Sequence, residues 1–204
     1  MLRKSLSVSK AGIVDMRTFT VHSSPAAVQR SVDRASAILA GTKIDLYGPA
    51  RVDPNTPIED TVRHTVRALK VLVAECEISG IQLSEASAQT IRRVHGVAKT
   101  DMVEAEISPW ATDVFKNGVG DTCDELGIVL GAHTPLGTGM LTGKIKSLDD
   151  MDPNDYHRLF PRFQPENFAT NIKLAEKVQK LAQAKVVMCM GVLGTEGYVT
   201  SLSA

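Results

Sequence analysis

The residues best placed to do chemistry lie between Gly127 and Gly143, in the stretch GIVLGAHTPLGTGMLTG. The apolar run Ile128-Val129-Leu130 suits a buried strand. It leads into Pro135, Gly137, Gly139 and Gly143, which suit a loop whose backbone lies close to something else. A strand running into a glycine-rich loop is where parallel α/β proteins usually place a ligand, and amides there would face a phosphate. The same spacing also serves an ordinary strand-to-helix turn, so the residues leave both roles open. Lys10, which ends the segment LSVSK, reads either as a solvated surface amine or as an amine at a strand end. Cys76, Cys123 and Cys189 are odd in number and share no metal-ligand spacing with the five histidines. They read as free thiols of a reducing compartment, and the expected location is the cytoplasm.

Elements that would position these residues follow from local patterns. The first strand covers Leu6 to Lys10. Ser24-Pro25 supplies a cap and a first-turn proline, Val28, Val32, Ala35 and Leu39 recur at helical spacing, and Gly41 supplies the stop. A strand at Lys43 to Tyr47 is followed by a helix opened by Thr56-Pro57 with Glu59 completing a capping box. Its inward stripe is Ile58, Val62, Val66, Leu69 and Val73. Further strands are expected at Gly80 to Leu83 and Met102 to Ile107. Short helices are expected around Ile91 and Val94, and from Val119 to Leu126. Residues 146–165 read as an irregular loop. Phe168, Ile172, Ala175, Val178 and Leu181 mark a long amphipathic helix, and residues 186–204 have no clear plan.

Strand and helix therefore alternate five times, which implies a parallel sheet. No G-x-G-x-x-G follows the first strand, which weighs against a dinucleotide-binding doubly wound domain. A (β/α)₈ barrel fits better, although such barrels typically take about 250 residues and this chain has 204. The expectation is one α/β domain with about five or six of the eight βα units. At 43% hydrophobic residues the chain can build a core. Lys+Arg and Asp+Glu both total 23, so nothing in the charge argues for nucleic acid or an anionic membrane. The apolar run Val186 to Leu193 is far shorter than the roughly 20 residues of a membrane helix. The N-terminal residues carry no apolar core of a signal peptide.

Four segments together, KIDLYGPARVDPNTPIEDTV, GIQLSEASAQTIRRVH, VEAEISPWATDVFKNGVGDTCDELGI and GAHTPLGTGMLTGKIKS, resemble the aldo-keto reductases, with the nearest likeness to the fungal pyridoxal-reductase-like branch. RFQPENFATN at 162–171 fits that branch too. The resemblance runs from about Leu6 to Leu181. It implies a (β/α)₈ barrel binding NADP(H) at the C-terminal mouth, with hydride transfer to a small carbonyl compound such as pyridoxal. In the family a tyrosine gives the proton, tuned by lysine and aspartate neighbours. A phenol with a pKa of about 10 is otherwise a poor donor near neutrality.

Carried over residue by residue, the resemblance makes Lys10 the match to the catalytic lysine. Ala50 stands where many members have histidine, and Arg51 with Asp53 is expected to be a structural ion pair. Ser84 resembles the serine that binds the nicotinamide carboxamide, besides being a natural helix cap. Glu104 stands near the amide-bearing residue on the other side of that group. A carboxylate there can accept from the NH₂ but cannot donate to the carbonyl. His133 takes the place of the aromatic that stacks on the nicotinamide. Thr134, Leu136 and Gly137 match the backbone segment that meets the pyrophosphate, and Thr138 falls where an arginine is frequent. No metal site is expected.

The family's catalytic Asp and Tyr lie upstream of the lysine strand, and Met1 lies only a few residues before it. The first two strands are thus expected to be missing, and the sequence after Leu181 departs from the family's basic pattern. Tyr47, in a strand three residues from Ala50, faces away from it. Tyr156 lies in the irregular loop. Two open sheet edges would favour self-association. The alternative to a reductase is a catalytically dead fragment that binds nucleotide weakly or pairs with a full-length relative.

Overall fold

The structure is a computed structural model that describes residues 7–11, 13–15, 20–21, 24–40, 43–51 and 62–184. Five parallel-sheet strands alternate with helices: β1 (Val8–Ala11), α1 (Pro25–Ile38), β4 (Ile44–Pro49), α2 (Arg67–Ala74), β5 (Ile78–Ser84), α3 (Ala88–His95), β6 (Met102–Glu106), α4 (Val119–Leu126), β7 (Val129–His133) and α5 (Pro165–Ala184). The sheet order is β1-β4-β5-β6-β7, so each crossover adds a strand beside the previous one, as in a (β/α)₈ barrel. Five βα units are present among the described residues, which makes the fold an incomplete barrel of that type. A small antiparallel pair, β2 (Ile13–Asp15) with β3 (Thr20–Val21), sits outside this sheet and had no sequence signal.

The chain divides into two compact units, Met1–Ala105 with Asp113–Leu130, and Glu106–Thr112 with Gly131–Ala204. In the first unit, register determines which residues share a face. Lys10 pairs with Gly48, Leu46 with Gly80, Gln82 with Met102, and Ser84 with Glu104. Opposed residues of a sheet point the same way and alternate along each strand. Lys10, Gly48, Gln82, Ser84, Met102 and Glu104 therefore share one face. Tyr47, Ile81, Leu83 and Val103 point to the other, where the helices pack. The Tyr47 hydroxyl confirms this by donating to Ser31 Oγ of α1 at 2.6 Å.

The helices form where local chemistry directs them. Ser24 Oγ accepts from the Ala27 amide and Pro25 opens α1, which buries Val28 and Val32. α1 ends at Ile38, and Gly41 lies outside the described residues. The expected cap Thr56, with Pro57, Ile58 and Glu59, also lies outside them. A π-helical turn at Val62–Val66 precedes α2 and changes the phase of its stripe. Val66, Leu69 and Leu72 are buried, whereas Val73 is only half-buried. Ser87 caps α3, which buries Ile91 and Val94. α4 stops at Gly127, whose φ of 65° is the left-handed cap that glycine adopts without penalty.

In the second unit, α5 carries Phe168, Ala175, Val178 and Ala182 inward. Leu181 is 46% exposed, so the stripe ends on Ala182 instead of the expected leucine. Residues 146–165 are not shapeless. Asp150 accepts from the Lys146 and Ser147 amides at 2.8 Å each, and Arg158 donates to the Leu148 and Met151 carbonyls. These bonds hold three short 3₁₀ turns. Met151 and Phe163 from this segment join Met140 and Phe168 in a core with Trp110 packed against it.

The strand expected to be buried at Ile128 to Leu130 differs in detail. β7 begins at Val129, which is 54% exposed, and its buried residues are Gly131 and Ala132. β7 is the last strand in the sheet order, so among the described residues its leading residues lack a neighbour strand on one side.

Candidate functional site

In the first unit the predicted residues on the inner sheet face come together. Lys10 projects from β1 and its Nζ forms an ion pair with Glu104 Oε2 of β6. The two side chains are 32% and 7% exposed, so the carboxylate is buried and the ammonium partly open. Glu104 was expected to face a carboxamide; in the structure its charge is engaged by Lys10. Ser84, 1% exposed, stands opposite Glu104 in the register and accepts from Arg51 Nη1 at 3.0 Å. Arg51 also donates to the Ala50 carbonyl at 2.7 Å. Its expected partner Asp53 lies outside the described residues. Ser84 is the last residue of β5, and the cap of α3 is Ser87. Its helix-cap role is therefore taken by another serine, and its hydroxyl serves the inner face.

Gln82 belongs to this cluster and was not singled out from the sequence. It is fully buried, and its Nε2 donates to the Ser9 carbonyl at 2.9 Å. The only signal was a polar residue between the apolar Ile81 and Leu83. Tyr47, the one tyrosine in this unit, is on the opposite face; burial raises its pKa above the usual value, partly offset by its bond with Ser31. It is not placed to serve Lys10.

In the second unit, β7 ends at His133 and the chain enters the glycine-rich loop. His133 is half-buried, and its Nδ1 lies 2.9 Å from Thr134 Oγ1. The loop backbone is unusual. Thr134, Gly137, Thr138 and Gly139 all take left-handed conformations, with φ of 55°, 56°, 54° and 90°. Two of these are β-branched threonines, for which the conformation is strained. Strain of this kind persists where the fold over-determines it and clusters at ligand-binding sites. Successive amides in such turns form concave nests that suit anions.

The loop's own hydrogen bonds decide which amides remain. Gly137 N donates to the Thr134 carbonyl at 2.9 Å, Gly139 N to Leu136 at 3.2 Å, and Leu141 N to Leu136 at 3.1 Å. Among the described residues, the amides of Leu136 and Thr138 have no backbone acceptor. Gly137 thus contributes shape instead of a donor. A Cβ there would lie 2.5 Å from Trp110 Cζ3, so the indole rests directly on the glycine. Trp110 Nε1 donates to Asn171 Oδ1 at 3.0 Å, and Asn171 in turn donates to the Arg162 carbonyl at 2.9 Å. Arg162 pairs with Glu106 at 2.7 Å. The loop therefore stands on a fixed aromatic base.

Cys123 is buried, and burial together with Asp124 pushes its thiol up to about 11, which argues against a nucleophile. Cys76 is exposed, and Cys189 lies outside the described residues. Among the described residues no cluster of His, Cys, Asp and Glu could hold a metal ion, and no helix is long and apolar enough to cross a membrane.

The comparisons with known proteins agree with this geometry. The model of the aldo/keto reductase family matches residues 8–189. The chain is 39% identical over 183 residues to the probable pyridoxal reductase 2 of Schizosaccharomyces pombe, covering 86% of this chain and 53% of the relative. It is 39% identical over 142 residues to the aldo-keto reductase str7 of Strobilurus tenacellus, covering 69% of this chain and 41% of that protein. The chain spans about half the length of these relatives. Among solved structures, a glycerol dehydrogenase from Gluconobacter oxydans superposes with a TM-score of 0.73 at 23% identity, over 84% of this chain and 51% of the other, a likeness of fold.

Proposed function

The chain belongs to the aldo/keto reductase family, and from that premise we propose that it acts as an NADP(H)-dependent oxidoreductase on small aldehyde and alcohol pairs such as pyridoxal and pyridoxine. The observation that carries the reading is the loop after β7, where four left-handed residues leave the Leu136 and Thr138 amides without backbone acceptors. Such a cradle fits a pyrophosphate. Bound NADPH would supply the hydride.

The rest is the work of this chain's side chains. In the second unit, Thr134, Leu136 and Gly137 shape the cradle and His133 offers an imidazole face. Thr138 brings no charge to a phosphate, so binding there rests on amides alone. In the first unit, the Ser84 hydroxyl, oriented by Arg51, is available to a carboxamide. Lys10 keeps a positive charge at the inner face, where it would favour the alkoxide side of a proton transfer. The proton itself must come from a group other than Tyr47. The location consistent with this chemistry is the cytoplasm.

The test is NADPH consumption by the purified chain with pyridoxal as substrate. Consumption that Lys10→Met abolishes supports the reading. Saturable NADPH binding without any aldehyde-dependent consumption would refute it and leave a nucleotide-binding remnant.

A further inference from the structure

Lys10 and Glu104 sit on strands separated by two others, and the intervening strands are shaped so that the two can meet. Level with Lys10 on β4 is Gly48, which has no side chain to block the crossing. A Cβ at Gly48 would lie 1.8 Å from the Gln82 carbonyl oxygen and 3.0 Å from Gln82 Cγ. Gln82 fills that space. Its side chain passes across Gly48 and ties down the Ser9 carbonyl, one residue before Lys10. Its Oε1 is buried without a partner among the described residues, so the amide spends its one observed side-chain hydrogen bond on β1. A buried polar group that forgoes half its bonding is costly. Gln82 is therefore poorly explained as core filling.

We propose that Glu104 is the positioning residue of Lys10, holding its ammonium over the inner sheet face, while Gln82 anchors β1 beneath it through Ser9. Glu104 then does not serve the nicotinamide carboxamide, and recognition of that group in this unit falls to Ser84. The proposal deepens the reading above and rests on it for the role of Lys10. The ion pair itself stands on geometry. Glu104 is buried, and a buried carboxylate without a counter-charge is strongly disfavoured. Other charged residues on or beside these strands have partners of their own: Arg51 donates to Ser84 and the Ala50 carbonyl, and Glu106, two residues beyond Glu104 on β6, pairs with Arg162.

The experiment is reductive methylation of the purified chain with formaldehyde and borohydride, followed by peptide mass spectrometry. Exposed Lys144 is the internal reference. The proposal predicts that Lys10 reacts on the order of tenfold more slowly than Lys144, the factor that about 1.4 kcal/mol of ion pairing supplies. Glu104→Gln should remove most of that protection and leave Lys144 unchanged. Glu104→Asp should protect partially, and Gln82→Met should raise Lys10 labelling by loosening β1. Circular dichroism checks that each variant is folded. If Glu104→Gln does not fold, the native chain and Glu104→Asp decide the question. Lys10 labelling as fast as Lys144 in the native chain, or indifferent to every folded variant, would overturn the proposal. The readout needs neither NADPH nor turnover, so a failure of the reductase reading leaves it intact.

Discussion

Replacing Gly137 by alanine tests whether the glycine-rich loop is built around Trp110. Two costs arise at this position. At a φ of 56° an alanine pays for left-handed backbone, roughly 1–2 kcal/mol. Its Cβ would also fall 2.5 Å from Trp110 Cζ3 and 2.7 Å from Cε3. The indole must then retreat by about the 1 Å that restores van der Waals contact. Its hydrogen bond to Asn171 and its packing against the Met140, Met151, Phe163 and Phe168 core resist that movement. Overpacking of this kind costs roughly 1–3 kcal/mol. The total is about 2–5 kcal/mol.

Gly139→Ala is the matched control in the same loop. Its φ is 90°, but the nearest atom to a Cβ there is Ile145 Cδ1 at 3.9 Å, an ordinary contact. It should lose only the backbone cost, about 1–2 kcal/mol. Urea unfolding followed by Trp110 fluorescence measures both variants. A native-state emission shift in Gly137→Ala alone would report the displaced indole. Equal losses in the two variants, with Trp110 emission unchanged in both, would refute the packing argument.

Three further outcomes follow from the same geometry. Lys10→Met should destabilise the chain by about 2 kcal/mol, below the roughly 3–5 of a fully buried pair because Lys10 is a third exposed; Lys10→Met with Glu104→Gln should recover most of it in urea unfolding. Tyr47→Phe should cost about 1 kcal/mol through the lost Ser31 hydrogen bond and leave NADPH affinity unchanged, since Tyr47 faces the helices. Because burial holds the Cys123 thiol at about 11, iodoacetamide at pH 8 should alkylate Cys76 and spare Cys123 until the chain is unfolded, as peptide mapping would show.

What was legible in the sequence was what local chemistry determines. Ser24-Pro25 opens α1, Ile91 and Val94 define the inner side of α3, and Gly127 closes α4, each within one or two turns of its signal. The alternation of strands and helices was enough for the fold class. The family resemblance then placed Lys10, Ser84 and Glu104, and register puts all three on one face. What was not legible depends on distant partners. The bond from Gln82 to Ser9 joins residues 73 apart, and neither carries a local sign of it. The space over Gly48 that permits it is visible only when β4 and β5 are paired. Val129 is an apolar residue of the kind usually buried, and it is 54% exposed on β7, the last strand in the sheet order among the described residues. Ala182 replaces Leu181 in the buried stripe because packing, not apolarity, sets where a long helix ends its contact. The left-handed threonines of the loop run against their own preference, and only the folded backbone reveals them.

The most direct measurement of the central claim is a titration of the purified chain with NADPH, following the fluorescence of Trp110, its only tryptophan. The indole rests on Gly137 at the base of the loop proposed to hold the pyrophosphate. The account predicts saturable quenching that Gly137→Ala weakens and Tyr47→Phe leaves alone. A folded chain whose Trp110 emission does not respond to NADPH at any concentration would contradict it.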